Sequence, residues 1–301
     1  MSSPTTTSVL ASRKTVLVVD PQPQVSVLLV RLAREEDWNL EQVLDNHTAL
    51  SLADVVAFDL IITGQKTPMR DDLELLGKLR SIHPHIRMII LKERGTPEDV
   101  VASVCQHAFS YFRAPFEEEV LADMARTAIR QSCWQDGIEV ISAQPDWIRL
   151  LARCTRETAE RLVQFWRQAD LPYAEREDLA VAGYEILLNA MEHGGHFDPN
   201  KYVEIGYLHT NRMIMCRVKD PGDGFALEQL RHAAINNPPG DLFTHLPARE
   251  EKGLRPGGFG LLLANKLVDE MICGQQGNDV ILIKYLDSSA RGDSGTLPRP
   301  V

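Results

Sequence analysis

Between residues 14 and 131 short apolar runs alternate with amphipathic stretches, and this alternation leaves few folds open. Lys14–Asp20 is an apolar run ending in an acid, and Asp59–Thr63 and Arg87–Leu91 have similar apolar runs. Weaker runs follow the same order at Leu40–Leu44 and Ser110–Arg113. Short continuous apolar runs suit strands covered on both faces. Between them, Val25, Leu28, Leu29, Leu32 and Ala33 fall on one helical face. Thr48–Val56, Leu73–Ile82, Pro97–His107 and Leu121–Gln131 read as further helices. The expected result is a doubly wound α/β layer on a parallel sheet, with ligands at the carboxyl ends of the strands.

At 301 residues the chain suits two domains rather than one core. Its hydrophobic content of 44% and charged content of 25% are those of a soluble globular protein. A net charge of −10 disfavours direct contact with nucleic acid or anionic membrane. No apolar stretch approaches the roughly 20 residues of a membrane helix. Residues 1–13 are Ser/Thr-rich and read as a disordered tail or a transit-like segment, and residues 288–301 as a second disordered tail. The five cysteines, Cys105, Cys133, Cys154, Cys216 and Cys273, show no metal or redox spacing. They are expected as buried free thiols in a cytoplasmic protein.

The pieces VLVVD, DLIIT, LELLGKLR, GTPEDVVASV and YFRAPF give residues 14–131 a resemblance to the receiver domains of response regulators. The resemblance implies an acidic pair after the first strand, a phosphorylated Asp ending the third, Thr or Ser ending the fourth, and Lys before a cis proline. Here Asp20 is followed by Pro21, Gly64 replaces the phosphorylated Asp, Lys92 the Thr or Ser, and Ala114 the Lys. Glycine has no carboxylate, so no acyl phosphate can form at position 64. One acid in place of two weakens any Mg2+ site. Two readings are open for Lys92: it pairs with Asp20, or it points to solvent. Asp71 and Asp72 are expected on a loop away from the strand tip. The domain is expected to serve protein contacts rather than a phosphorylation switch.

Periodicity breaks over residues 132–137, which read as a linker. Ile138–Ser142 and Trp147–Cys154 then read as a strand hairpin and Thr155–Gln168 as an amphipathic helix. In the following helix, residues 175–195, Glu185, Asn189 and His193 recur every fourth position and share one stripe. Leu179, Ala182, Ile186, Leu187 and Ala190 form the apolar face beside it, and Gly194-Gly195 is a stop signal. Strands Tyr202–Leu208 and Met213–Lys219 lead into KDPGDGF, where Asp220 stands at a strand end before Gly222 and Gly224. A loose polar stretch ends at PGGFGLLLANKLVDEM, residues 256–271, where glycines open a helix with Leu261, Leu262, Leu263, Leu267 and Val268 inward. The backbone N–H groups of such a helix start favour phosphate. Ile281–Tyr285 reads as the last strand.

The order of ExxxN helix, DxGxG strand end, loop and GGxG helix resembles the ATP-binding fold of gyrase B and the histidine kinases. The stretches CTRETAERLVQFW and EILLNAMEHG bring it nearer to the serine kinases that act as anti-sigma factors. The resemblance covers residues 138–287 and implies an α+β two-layer sandwich. It implies ATP and Mg2+ as cofactors. Asp220 would select adenine, with Gly222 and Gly224 permitting close approach. Asn189 would coordinate Mg2+, and Glu185 would be the general base for a serine hydroxyl. His193, Arg255, Gly257, Gly258 and Gly260 would surround phosphate, and residues 226–256 would form a lid.

Histidine autokinase is disfavoured, because residues 117–160 contain no histidine for a phosphoacceptor helix. Two readings stay open: an ATP-dependent serine/threonine kinase of anti-sigma type, and a nucleotide-binding interaction module without turnover. A small-molecule ATPase lacks any second-substrate motif. The resemblance implies an antagonist protein as partner, a sigma factor as a second candidate partner, and a homodimer.

Overall fold

A computed structural model describes residues 13–21, 24–130, 137–144, 146–224, 233–238, 241, 243–251 and 258–286. The chain divides into two compact units, residues 1–94 with 112–134 and residues 95–111 with 135–301.

A five-stranded sheet is built from β1 (Thr15–Val19), β2 (Asn39–Val43), β3 (Leu60–Thr63), β4 (Arg87–Lys92) and β5 (Ser110–Arg113), in the order β2-β1-β3-β4-β5. The helices α1 (Gln24–Glu35), α2 (Asn46–Ala53), α3 (Met69–Ile82), α4 (Pro97–Cys105) and α5 (Glu118–Arg130) alternate with the strands. This is the receiver-like, doubly wound parallel sheet. Val16–Val19, Leu60–Ile62 and Met88–Leu91 are buried, as central strands covered on both faces require. Parallel register sets Val19 opposite Thr63 and Thr63 opposite Ile90. Asp20, Gly64 and Lys92, at the carboxyl ends of these strands, therefore share one end of the sheet. Side-chain caps define several helix starts: Asp45 accepts from the Thr48 N–H at 2.8 Å, and Thr96 and Asp99 form a capping box.

A six-stranded antiparallel sheet follows, in the order β10-β11-β9-β8-β7-β6. Its strands are β6 (Ile138–Gln144), β7 (Trp147–Arg153), β8 (Tyr202–His209), β9 (Met213–Lys219), β10 (Glu270–Cys273) and β11 (Asp279–Tyr285). Alternation decides its faces. Ile148, Leu150 and Ala152 on β7 and Ile214, Cys216 and Val218 on β9 enter one core with α6 (Arg156–Trp166), α7 (Tyr173–Asn189) and α9 (Gly260–Leu267). This is a two-layer α+β sandwich. The alternate positions carry charge: Arg217 grips Asp279 through three hydrogen bonds of 2.9, 3.1 and 2.5 Å, and Arg149 reaches Glu204 at 2.8 Å.

Several expectations are corrected. The helix read over residues 256–271 ends at Leu267, because Val268 turns extended (φ −112°, ψ 161°) and Glu270–Cys273 pairs antiparallel with β11. Leu263, expected inward, is 39% exposed. The loose stretch holds a short helix, α8 (Leu246–Glu251). Asp71 and Asp72 lie in the first turn of α3, not on a loop. Of the four described cysteines, Cys154 and Cys216 are buried, whereas Cys105 is exposed and Cys273 half-buried. Residues 132–136 of the expected 132–137 linker and nearly all of both expected tails lie outside the described residues.

Two helical glycines make opposite predictions. A Cβ on Gly183 of α7 would lie 2.5 Å from the buried ring of Trp166, whereas one on Gly77 of α3 meets nothing within 4 Å. Gly183→Ala should therefore lose about 1–2 kcal/mol net, overpacking outweighing the helix-propensity gain, and Gly77→Ala should gain about 0.5–1 kcal/mol. Urea unfolding of the two variants measures both signs.

Candidate functional site

The second unit gathers polar residues at the end of α7. Glu185 and Asn189 lie one turn apart on that helix and are half-buried. Beyond Asn189 the helix widens into a π-turn, Ala190–Gly194, in which Gly195 N–H donates to Ala190 O at 2.9 Å. The five-residue spacing breaks the stripe read from the sequence, so His193 does not continue the four-residue repeat. It is exposed, yet near enough to Asp220 for its charge to favour that carboxylate.

The π-turn presents Gly194 to Asp220. A Cβ at Gly194 would lie 2.6 Å from Asp220 Cβ and fall on the carboxyl group itself. Gly222 has the same constraint, since its Cβ would stand 2.9 Å from both Asp220 Oδ1 and Gly194 Cα. Gly222 N–H donates to Asp220 Oδ1 at 2.8 Å. Gly224 adopts φ +81° beneath the Gln276 carbonyl, a conformation that L side chains rarely take. Burial raises the Asp220 pKa above the ordinary carboxylate value and Asp279 adds to it, while the Gly222 N–H and His193 oppose the rise.

Gly260 opens α9 against the other two polar residues. Its Cβ would lie 2.6 Å from Glu185 Oε2 and 3.3 Å from Asn189 Nδ2. The missing side chain leaves a cradle between the α9 N-terminus and the carboxylate and amide of α7. Gly258 takes φ +88° two residues earlier, and its carbonyl accepts from Ala234 N–H at 2.9 Å. Arg255 and Gly257 lie outside the described residues, as does much of the expected lid.

Sequence reasoning missed Asn278 and His245. The Asn278 carbonyl accepts from Asp220 N–H at 2.9 Å, and its Nδ2 donates to Gly222 O at 3.1 Å. One turn residue thus holds both ends of the acidic loop. Its only sequence signal was the Gly-Asn turn before the last strand. His245 is 1% exposed, packs edge-on against Phe259 at 4.8 Å and contacts Asn237 at 3.0 Å. Cys154 lies under Gly195, and burial pushes its thiol up to about 11, so it is no nucleophile at neutral pH.

At the carboxyl end of the parallel sheet, Asp20 is buried and lies over Gly64. Lys92 is 3% exposed, which overturns the solvent-facing reading. The carboxylate it grips is Asp72, in place of the expected Asp20 pairing. Ala114 precedes a cis proline, as the sequence pattern implied, and its N–H donates to Lys92 O at 2.8 Å.

Known proteins match both halves. The serine-protein kinase RsbW of Bacillus subtilis is 29% identical over 154 residues, half of this chain and 87% of that protein. RsbW of Oceanobacillus iheyensis is 27% identical over 153 residues, again half of this chain and 87% of its own. The probable transcriptional regulatory protein TcrX of Mycobacterium tuberculosis is 28% identical over 118 residues, 39% of this chain and 50% of that one, so the match spans half that relative's length. Residues 16–126 match the response regulator receiver domain and residues 148–284 the histidine kinase-like ATPase domain. The chain therefore carries a receiver domain followed by a histidine kinase-like ATPase domain.

Proposed function

We propose that this signalling regulator is an ATP-dependent serine/threonine kinase of anti-sigma type, acting on a small antagonist protein. The observation that carries the reading is the convergence on α7 and its π-turn: Asp220 abuts Gly194, and Glu185 and Asn189 flank Gly260. Similarity to proteins named serine-protein kinases supports it. We take residues 14–131 and 138–287 as the two domains, with a cytoplasmic location, a sigma factor as a second partner and a homodimer as the working state.

Each role follows from the chemistry of the group. A carboxylate accepts, so Asp220 accepts from the exocyclic amino group of adenine, where guanine presents a carbonyl. Gly222 and Gly224 let the ring approach the backbone. The cradle beside Gly260 suits phosphate oxygens and, with the Asn189 amide turned to present Oδ1 in place of Nδ2, a hydrated cation, because Glu185 Oε2, that amide and the helix-start N–H groups meet there. The Asn189 amide is the protein ligand for Mg2+, which when bound neutralises phosphate charge. Gly257, Gly258 and Gly260 supply backbone N–H groups, Arg255 adds positive charge, and His193 lies near the phosphates. Glu185 takes the proton of the antagonist's seryl hydroxyl as its oxygen attacks the terminal phosphorus and ADP leaves. The lid, residues 226–256, closes over nucleotide. Within the receiver-like domain, Gly64 excludes aspartyl phosphorylation at the strand tip, so this domain contributes protein contacts.

The full chain incubated with labelled ATP and its cognate antagonist should transfer phosphate to a serine. Glu185→Ala should cut transfer by about 10²-fold or more while ATP affinity stays within about threefold. ATP binding with no transfer above that variant would establish the module without turnover, and absence of ATP binding would remove both readings.

Asp220 sets a pH dependence. Its acceptor role needs the ionised form, and its pKa is raised, so adenine affinity should weaken on acidification at a pH above the usual carboxylate range. Calorimetric titration of wild type and Asp220→Asn across pH separates this from protonation of the base itself. Asn278→Ala removes one hydrogen bond from the acidic loop and should weaken ATP binding about fivefold without lowering maximal transfer.

A further inference from the structure

The first unit contains a buried charge network that the proposed phosphotransfer does not use. The Lys92 ammonium donates to Thr67 O at 2.6 Å, to Thr67 Oγ1 at 3.2 Å and to Asp72 Oδ2. Its three N–H donors therefore each meet an acceptor. Asp72, fully buried, is occupied on both oxygens: Oδ2 by Lys92 and the Thr67 hydroxyl at 2.8 Å, Oδ1 by Asn46 Nδ2 at 2.9 Å. The same Thr67 Oγ1 lies 2.8 Å from Gly64 O, so its single hydrogen is shared between Gly64 O and Asp72 Oδ2 and ties the turn after β3 to this network. One charge pair thus joins the tip of β4, the β3–α3 turn, the first turn of α3 and the start of α2.

We propose that Lys92 is the resident cation of this corner and clamps the β3–α3 turn in one conformation. The unit is then a fixed-state module that answers neither to divalent metal nor to small phosphate donors. A buried cation removed from its anion leaves an uncompensated charge, so the two groups hold each other in place. A divalent ion approaching Asp72 would have to displace an ammonium tethered to the adjacent strand, which is present at high effective concentration. Space enforces the same outcome. A Cβ at Gly64 would stand 2.5 Å from Asp20 Oδ1 and 2.7 Å from its Cγ, so an acceptor side chain does not fit until Asp20 moves. The turn is therefore closed by charge on one side and by sterics on the other. This inference is independent of the nucleotide reading of the second unit.

Amide hydrogen exchange over residues 64–72 of the full chain tests it. In the wild type, MgCl2 with beryllofluoride should leave exchange unchanged. Lys92→Met should speed exchange of residues 64–69 by about tenfold or more, because Asp72 is left buried without its cation. The neutral pair Lys92→Met with Asp72→Asn keeps the shape of Asp72 and should regain at least half of the lost protection. Should Lys92→Met fail to fold, recovery of a folded chain in the double variant supports the clamp. A wild-type response to MgCl2 with beryllofluoride, unchanged exchange in Lys92→Met, or a double variant no better than the single would each overturn it.

Discussion

The Asp220 carboxylate occupies a place that only glycine can face. Gly194 and Gly222 close on it from two elements, and a methyl group on either would collide with it. The main chain around it is held from the opposite side by Asn278, through its carbonyl and its side-chain amide. A carboxyl group so enclosed loses water, and its pKa rises. An acceptor that is partly desolvated and cannot turn away is prepared for a ligand that brings its own donor. The π-turn at the end of α7 makes this possible. An ordinary α-helical turn would place Gly194 elsewhere, because one added residue per turn changes which position faces Asp220.

The two units treat charge at a strand end in opposite ways. In the second unit, Asp220 follows β9, and Glu185 and Asn189 border a gap that Gly260 keeps free. The groups are positioned but not consumed by one another. In the first unit, Asp72, Lys92, Thr67 and Asn46 consume one another, with each lysine donor meeting an acceptor. A cluster whose charges compensate one another specifies a shape even though Asn46 Oδ1 is left without a hydrogen bond among the described residues, whereas a cluster that leaves an opening invites a ligand. Glycine has opposite uses too: Gly64 accommodates the neighbouring Asp20, and Gly260 leaves the space between Glu185 and Asn189.

Much of this fold was legible because burial leaves periodic marks. The runs at Val16–Val19 and Ile61–Ile62 read as covered strands and are covered. Ile138–Ser142 and Trp147–Cys154 read as a strand hairpin, and β6 and β7 pair antiparallel. Errors arose where a local pattern competed with a distant partner. The helical spacing of the chain after Gly260 ran on past Leu267, but pairing with β11 drew Glu270–Cys273 into the sheet. Asp72 looked like an exposed loop acid because no local signal showed that Lys92, twenty residues onward, would bury it. His193 matched a four-residue repeat that the π-turn interrupts.

Residue chemistry and spacing alone determined that the chain has two α/β-containing halves, that position 64 has no phosphoacceptor, and that a Glu, an Asn and an Asp stand at motif spacing in the second half. These are properties of local order along a polymer, and they survive in one dimension. Which carboxylate Lys92 takes, which glycine faces Asp220, and which turn residue braces the acidic loop were decided only in three dimensions. Each depends on contacts between segments far apart in the chain, where packing and charge compensation choose among partners that local sequence leaves equivalent.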